Sequence, residues 1–364
     1  MLKEYLMREN DFISRADPNK CPTTFKSYIF QQGDHTTKYK CLINRMFTQE
    51  RLVLITNFSL KAFQRSVLKL TEQVTLIKDA EGFADLDIMP FVKEAMNELC
   101  TSMAFGDYDS LAEDIKELGP LIEDVFDRHN SSQTDDWHIY SLGLSSKFNF
   151  GPGRKNVDRD FSRIFKVLGR LYDERIIELQ TPGFVNNRCP NMIDHFISEN
   201  LRDKSLGLTK EALLSDLFNT IFASLDGNRT ALLNSFYLMS QYTDAQKAVH
   251  EQLSKLYFGK KLVQCDKDWA HNTLEELSLM NAFILEQFRF FMTSYSNVDR
   301  VVVKDFKIGN LTLFKGLQVL PFLCGPFQSD ECYDNPNKFD IYRHTEETCR
   351  NLGNRDKLYP FSIG

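Results

Sequence analysis

Two short stretches of this sequence carry residues that could do chemistry. The first is ASLDG, residues 223–227. Asp226 offers a carboxylate for proton transfer. Ala223, Ser224 and Gly227 are small enough to let a flat ligand approach the backbone. The second is the E-x-x-R of LEQFR, with Glu286 and Arg289 three positions apart. On a helix that spacing puts acid and base on one face, and at a surface the pair contributes only ~0.2–0.5 kcal/mol. LSLMNAFILEQFRFFM, 277–292, is however apolar nearly all the way round, and a helix of that kind is expected to be enclosed. A desolvated pair needs further hydrogen bonds to be tolerated. FDIYRH, 339–344, offers Arg343 as a third charged member.

The elements that must position these residues are mostly helices. Helical periodicity dominates to about residue 292 and predicts helices over roughly 1–9, 35–50, 59–77, 88–104, 110–127, 157–180, 190–201, 209–241, 243–257 and 271–292. The stretch 129–156, with Ser, Asp, Gly and Pro-Gly, reads as irregular. In 209–241, Thr209 can cap the start, and Leu213, Leu217, Phe218, Ile221 and Leu225 keep one apolar stripe. Asp226 and Gly227 are poor helix residues placed where that stripe is strongest. Either one long helix carries a flaw there, or two helices meet at a glycine cap. Beyond residue 298 the texture changes. RVVVKDFKIGNLTLFKGLQVLPFL, 300–323, alternates around glycine turns and reads as short strands. With no repeat, low-complexity tract or linker, residues 1–364 are expected to form one domain, mainly α with a small β appendage.

Composition removes several functions. The net charge is −6, with no basic tract interleaved with aromatics, which argues against a nucleic-acid partner. Eight cysteines are scattered from Cys21 to Cys349 without a C-x-x-C pair. In a chain this long they read as reduced thiols, with Cys324, Cys332 and Cys349 as packed residues. No uncharged apolar run approaches the ~18 residues that would span a bilayer. Thirty phenylalanines point to a core or a pocket rich in flat rings.

ASLDG, E-x-x-R, VVVKDF, FDIYRH and the final PFSIG occur in an order that resembles a cytochrome P-450, a heme-thiolate monooxygenase of the microsomal, animal type. The resemblance covers essentially the whole chain and implies a heme b cofactor. It places Ala223, Ser224 and Asp226 in the oxygen-binding groove of the family's central helix, with Gly227 where most members have a proton-delivering threonine. Glu286, Arg289 and Arg343 match a structural ion-pair cluster. Arg300, and Lys40 in GDHTTKYK (33–40), match basic positions that contact heme propionates. Thr36 stands where the family has tryptophan. Phe361 would pack against the heme. The substrate would sit between the central helix and the region near Val298, with Phe218, Phe222 and Leu225 as candidate lining residues.

The resemblance also carries expectations about what surrounds this sequence. The axial cysteine belongs to F-x-x-G-x-R-x-C, which Phe361-Ser362-Ile363-Gly364 begins. The ligand is therefore expected four residues past Gly364, and no residue of the chain is assigned to the metal. A membrane-anchor helix is expected before Met1. In full-length form the protein would lie on the cytosolic face of the endoplasmic reticulum membrane. It would take electrons from NADPH-cytochrome P-450 reductase and oxidise a lipophilic small molecule. The alternative is a catalytically inactive P-450-like binding protein without thiolate-ligated heme, a reading that Gly227 and Thr36 favour.

Overall fold

A computed structural model describes residues 12–13, 34–46, 48–133, 152–184, 191–257, 276–294 and 300–345. It divides into two compact units, one of residues 16–226 and the other of residues 1–15 with 227–364. The predicted helix over 1–9 lies outside the described residues, as does Phe361.

The unit of residues 16–226 is helical. It holds α1 (Asp34–Asn44), α2 (Gln49–Ile77), α3 (Met89–Phe105), a 3-10 turn (Tyr108–Ser110) and α4 (Glu113–Lys116). After these come α5 (Leu118–Gln133), α6 (Pro152–Gln180), α7 (Met192–Arg202) and the first part of α8 (Lys210–Gln241). Local chemistry sets several ends. Pro90 opens α3, where its missing N–H costs nothing. Gly106, at φ 109°, closes it by returning its N–H to Ser102 O. Asn191 caps α7 through its side chain, which accepts from Asp194 N at 2.9 Å.

The break expected between residues 50 and 59 falls instead between Asn44 and Gln49, and α2 runs unbroken through RLVLITNFS. Two things hold it. Thr56 and Phe58 are buried within the supposed gap, and Ala62 and Ser66 continue from Phe58 at i+4 and i+8. Thr56 and Ser59 return their hydroxyls to Leu52 O and Ile55 O, both at 2.9 Å, and so do not compete with the helix. The segment 129–156 is likewise more regular than predicted, since α5 continues to Gln133 and α6 starts at Pro152.

Within this unit α2 lies on α3, α5 on α6, and α7 on both α3 and α6. The core is aliphatic and aromatic: Leu99 from α3, Ile122 from α5, Ile164 and Leu168 from α6, Leu217 and Phe218 from α8. Phe218 is 0% exposed, with the rings of Phe161 and Phe165 at 5.5 and 5.4 Å. It is core, which corrects its candidacy as a pocket residue. One ion pair is buried with the core. Arg175 and Asp194 face each other through two N–H···O bonds, one at 2.6 Å, and join α6 to α7.

The second unit holds the rest of α8, then α9 (Thr243–Tyr257) and α10 (Ser278–Phe290). Strand β1 (Phe12–Ile13) joins β2 (Arg300–Val302) and β5 (Gln318–Val319) in an antiparallel sheet, with Phe12 opposite Val302 and Arg300 opposite Val319. β3 (Phe306–Ile308) and β4 (Leu311–Leu313) form a hairpin whose turn starts at Gly309, φ +55°. A short α11 (Cys324–Phe327) and a 3-10 turn (Ile341–His344) complete the described elements. Leu238, Val249, Phe283, Phe339 and Ile341 make one core cluster, in which Tyr242 stacks on Phe339 at 4.6 Å. Between the two readings of 209–241, the structure takes the single helix: α8 has 32 residues and passes through Asp226-Gly227 without a break.

One close approach in the helical unit is testable. A methyl group at Gly119, in the first turn of α5, would lie 1.8 Å from Asn97 Oδ1. The Asn97 amide meanwhile donates to Lys116 O at 3.3 Å. Gly119→Ala should therefore lower stability by about 1 kcal/mol, the worth of that hydrogen bond. In an Asn97→Ala background the same change should stabilise by about 0.5 kcal/mol through helix propensity. Urea unfolding of the four proteins checks the change of sign.

Candidate functional site

Helix α10 presents a buried face of Ala282, Phe283, Glu286, Gln287 and Arg289. It is not enclosed all round as its sequence suggested, because Asn281 is exposed and Ile284 is 38% exposed. The burial that matters is that of Glu286 and Arg289, both 0% exposed. Arg289 Nε donates to Glu286 Oε2 and one terminal nitrogen to Oε1, each at 2.8 Å. This two-pronged geometry is the strongest an arginine and a carboxylate can adopt. The other terminal nitrogen reaches Phe327 O and Pro336 O at 2.8 Å, and the first also reaches Lys338 O at 3.1 Å. Five N–H groups thus find five acceptors, the full capacity of a guanidinium.

Glu286 is answered as completely. Oε1 also accepts Asp340 N, and Oε2 accepts His344 Nε2, both at 2.9 Å. A carboxylate only accepts, so His344 carries its hydrogen on Nε2. Arg343 lies nearby, its Nε 3.5 Å from Glu286 Oε1, an ion-pair contact without a hydrogen bond. Its terminal nitrogens instead donate to Asp334 O at 2.8 Å and Asn335 O at 3.3 Å. The rings and cations interleave as well, with the Tyr333 ring 5.3 Å from the Arg289 guanidinium and 5.9 Å from that of Arg343.

His344 has no place in the sequence reading, yet it touches Glu286 more closely than Arg343 does. A signal for it exists. Asp340 caps the 3-10 turn by accepting Tyr342 N, and in a 3-10 turn residues three apart share a face. Ile341 and His344 therefore go inward together, while Tyr342 stays 56% exposed.

The electrostatics follow from this geometry. Burial alone would push the Glu286 carboxyl up, but hydrogen bonds from Arg289 and His344, the Arg289 charge and the Asp340 N–H outweigh it. The carboxyl is held below its usual range. Asp226 goes the other way. Although the residue as a whole is exposed, desolvation of the carboxyl by the surrounding protein first, and the like charge of Asp127 second, raise it above the ordinary aspartate value.

The remaining candidates are distributed over both units. In the unit of residues 16–226, Lys40 is half-buried on α1, Ser224 half-buried and Ala223 exposed on α8, as is Asp226. In the other unit, Gly227 and Arg300 are half-buried. A Cβ added at Gly227 would meet nothing within 4 Å. The guanidinium of Arg300, at the start of β2, makes no hydrogen bond or ion pair with another described residue. Leu225 is buried and Phe222 half-buried. Phe361 and Val298 lie outside the described residues. Among the described residues no group of His, Cys, Asp and Glu is placed to hold a metal ion, and no helix is long and apolar enough to cross a membrane.

Comparison with known proteins is consistent over the whole length. The sequence matches the family described as Cytochrome P450 over residues 1–364. Cytochrome P450 716A67 of Medicago truncatula is 20% identical over 349 residues, 93% of this chain and 62% of that protein. Cytochrome P450 2A3 of Rattus norvegicus is 24% identical over 279 residues, 75% of this chain and 53% of the rat protein. The chain thus spans less than two thirds of the length of these relatives. Among solved structures, retinoic acid-bound cyanobacterial CYP120A1 superposes with a TM-score of 0.71 at 16% identity. That match covers 100% of this chain and 74% of the cyanobacterial one.

Two outcomes test the buried cluster. Arg289→Ala strands the Glu286 carboxylate and should cost about 3–5 kcal/mol, read as a lower denaturation midpoint. Arg289→Lys should recover little, since an ammonium has three donors for five acceptors. Acid is the second probe. A depressed folded pKa stabilises the protein above the unfolded value of about 4.3, and that stabilisation is lost as pH falls through the folded value. Glu286→Gln should accordingly be less stable at neutral pH and show a shallower stability loss below about pH 4.

Proposed function

Because the chain belongs to the cytochrome P450 family, we propose that it works as a heme monooxygenase. It inserts one oxygen atom of O2 into a lipophilic small molecule. The electrons are drawn from NADPH through NADPH-cytochrome P-450 reductase, at the cytosolic face of the endoplasmic reticulum membrane. The observation that carries this reading is the unbroken passage of α8 through ASLDG, in a chain that the family matches from residue 1 to 364.

The residues present fit heme b. Arg300 is a half-buried cation with no partner among the described residues, as a propionate site requires. Lys40 is half-buried and supplies a second positive charge, though an ammonium is a point charge rather than a two-pronged donor. Ala223, Ser224 and Gly227 keep one stretch of α8 low enough for a flat macrocycle. Burial pushes the Cys100 thiol up to about 12 and raises that of Cys324, which disfavours either as a thiolate. When bound, the heme supplies the activation of O2.

What this chain supplies is position and protons. Asp226, with its carboxyl raised above the ordinary value, takes up a proton more readily than a solvated aspartate and can hand it on from Oδ. Gly227 has no hydroxyl to share that work. Glu286 and Arg289 do no chemistry, because their donors and acceptors are spent on each other, on His344, on the Asp340 N–H and on backbone carbonyls, while Arg343 stays beside them as an ion-pair partner.

The test is made on the heme-loaded protein with its reductase. Asp226→Asn should lower turnover by about 100-fold or more, the usual worth of a positioned proton donor, while substrate-binding spectra change little. Gly227→Thr, whose Cβ meets no atom within 4 Å, should raise the fraction of NADPH electrons recovered in product. Unchanged turnover and coupling in Asp226→Asn would refute the assignment and move the proton path to ordered water or Thr230.

A further inference from the structure

Helix α1 ends at Asn44, so the carbonyls of its last turn have no partner inside the helix. Two are satisfied by the chain just beyond, Cys41 O by Arg45 N at 3.3 Å and Ile43 O by Met46 N at 2.8 Å. The carbonyl between them is satisfied from far away. Leu42 O lies 2.9 Å from Nε2 of His195, a residue 153 positions later on α7. A carbonyl only accepts, so the imidazole donates Nε2–H. His195 is buried, and burial holds its pKa below the ordinary histidine value, against the opposing pull of the Leu42 carbonyl and Glu199 and with the Arg51 and Arg45 charges acting the same way as burial. Its donor is therefore the neutral ring at neutral pH.

The same two helices meet at two further points. Phe196, next to His195, sets its ring edge-on to Tyr39 at 5.6 Å. Arg45 donates to Glu199 Oε2 at 2.9 Å, although that pair is largely exposed and contributes little. Tyr39 in turn has its hydroxyl 3.4 Å from Thr220 Oγ1 on α8. Lys40 follows Tyr39 directly and precedes the capped carbonyl by two residues. Ring packing on one side and the His195 hydrogen bond on the other fix the rotation of that turn.

We propose that His195 is a positioning residue, which caps α1 from α7 and thereby sets the direction in which Lys40 presents its ammonium to an anionic group of the cofactor. This inference rests on the reading of Lys40 given above. It assigns no contact between His195 and the cofactor. The role differs from plain stabilisation because its effect must pass through Lys40.

That dependence is the test, made on the full chain as a double-mutant cycle of His195→Phe and Lys40→Ala. Hemin affinity is read from the Soret absorbance, and amide exchange is read at Arg45 and Met46. Lys40→Ala should weaken hemin binding by about fivefold, the scale of a partly exposed charge contact. His195→Phe should weaken it by about the same factor and speed exchange at the two amides about tenfold. It should weaken binding no further when Lys40 is already alanine. His195→Gln, which keeps an N–H donor, should restore affinity to within about twofold of the unmodified chain. If His195→Phe does not fold, His195→Met replaces it in the cycle. Equal weakening with and without Lys40, or unchanged exchange, would overturn the proposal. A Lys40→Ala protein that binds hemin like the parent would instead defeat the reading of Lys40, with the exchange result standing apart from it.

Discussion

A carboxylate removed from water must have its lone pairs answered, and Glu286 is the point from which the second unit is organised. Its four hydrogen bonds come from three places in the chain: Arg289 one helical turn away, Asp340 at the head of a 3-10 turn, and His344 at the end of it. Arg289 then carries the arrangement outward to Phe327, Pro336 and Lys338. Desolvating two charges costs several kcal/mol for each ion, so the cluster contributes less to net stability than its contacts suggest. What it provides is a single permitted arrangement. Any shift of α10 against the 334–344 segment leaves a buried charge without a partner, and that penalty excludes alternatives which a purely apolar contact would tolerate.

Glu286 and Asp226 are both carboxylates, and their surroundings send them in opposite directions. Donors converge on Glu286 and keep it ionised, which suits a group that must never change state. Asp226 has a carboxyl desolvated by the surrounding protein and a like charge at Asp127 instead, which raise it. Their diverging environments fit the proposed division between a framework acid and a proton donor. Gly227 sharpens it, because the residue beside the acid brings no side chain at all.

Much of this was legible in the sequence where a signal was local or long. Thr243–Tyr257 was placed to the residue, and the strands between 300 and 319 were visible from alternation and glycine turns. Other features depend on distant partners and could not be seen locally. β1 is two residues long and exists because Val301 and Val302 pair with it. The start of α2 carries β-branched Val53, Ile55 and Thr56, which weaken a helical signal, and the Thr56 and Ser59 hydroxyl bonds that hold it are not visible locally. Ile284 looked enclosed because an apolar residue carries no mark of the side it faces. Phe218 could line a pocket although a helical Phe stripe is more often core, and the packing of Phe161 and Phe165 on it decides for core. His344 was hidden by its neighbour, since Arg343 had already filled the role of third cation.

Residues 334–338 follow an irregular path, with Asn335 in the left-handed region at φ 49°, where asparagine is at ease. Arg289 and Arg343 grip this segment by the carbonyl oxygens of Asp334, Asn335, Pro336 and Lys338. Every amino acid owns such an oxygen. The anchoring is therefore indifferent to the identity of the residues being anchored, and only the course of the main chain has to be inherited. Side chains along this stretch can drift over generations, acquiring new surface chemistry, while the two arginines go on holding the same curve of backbone.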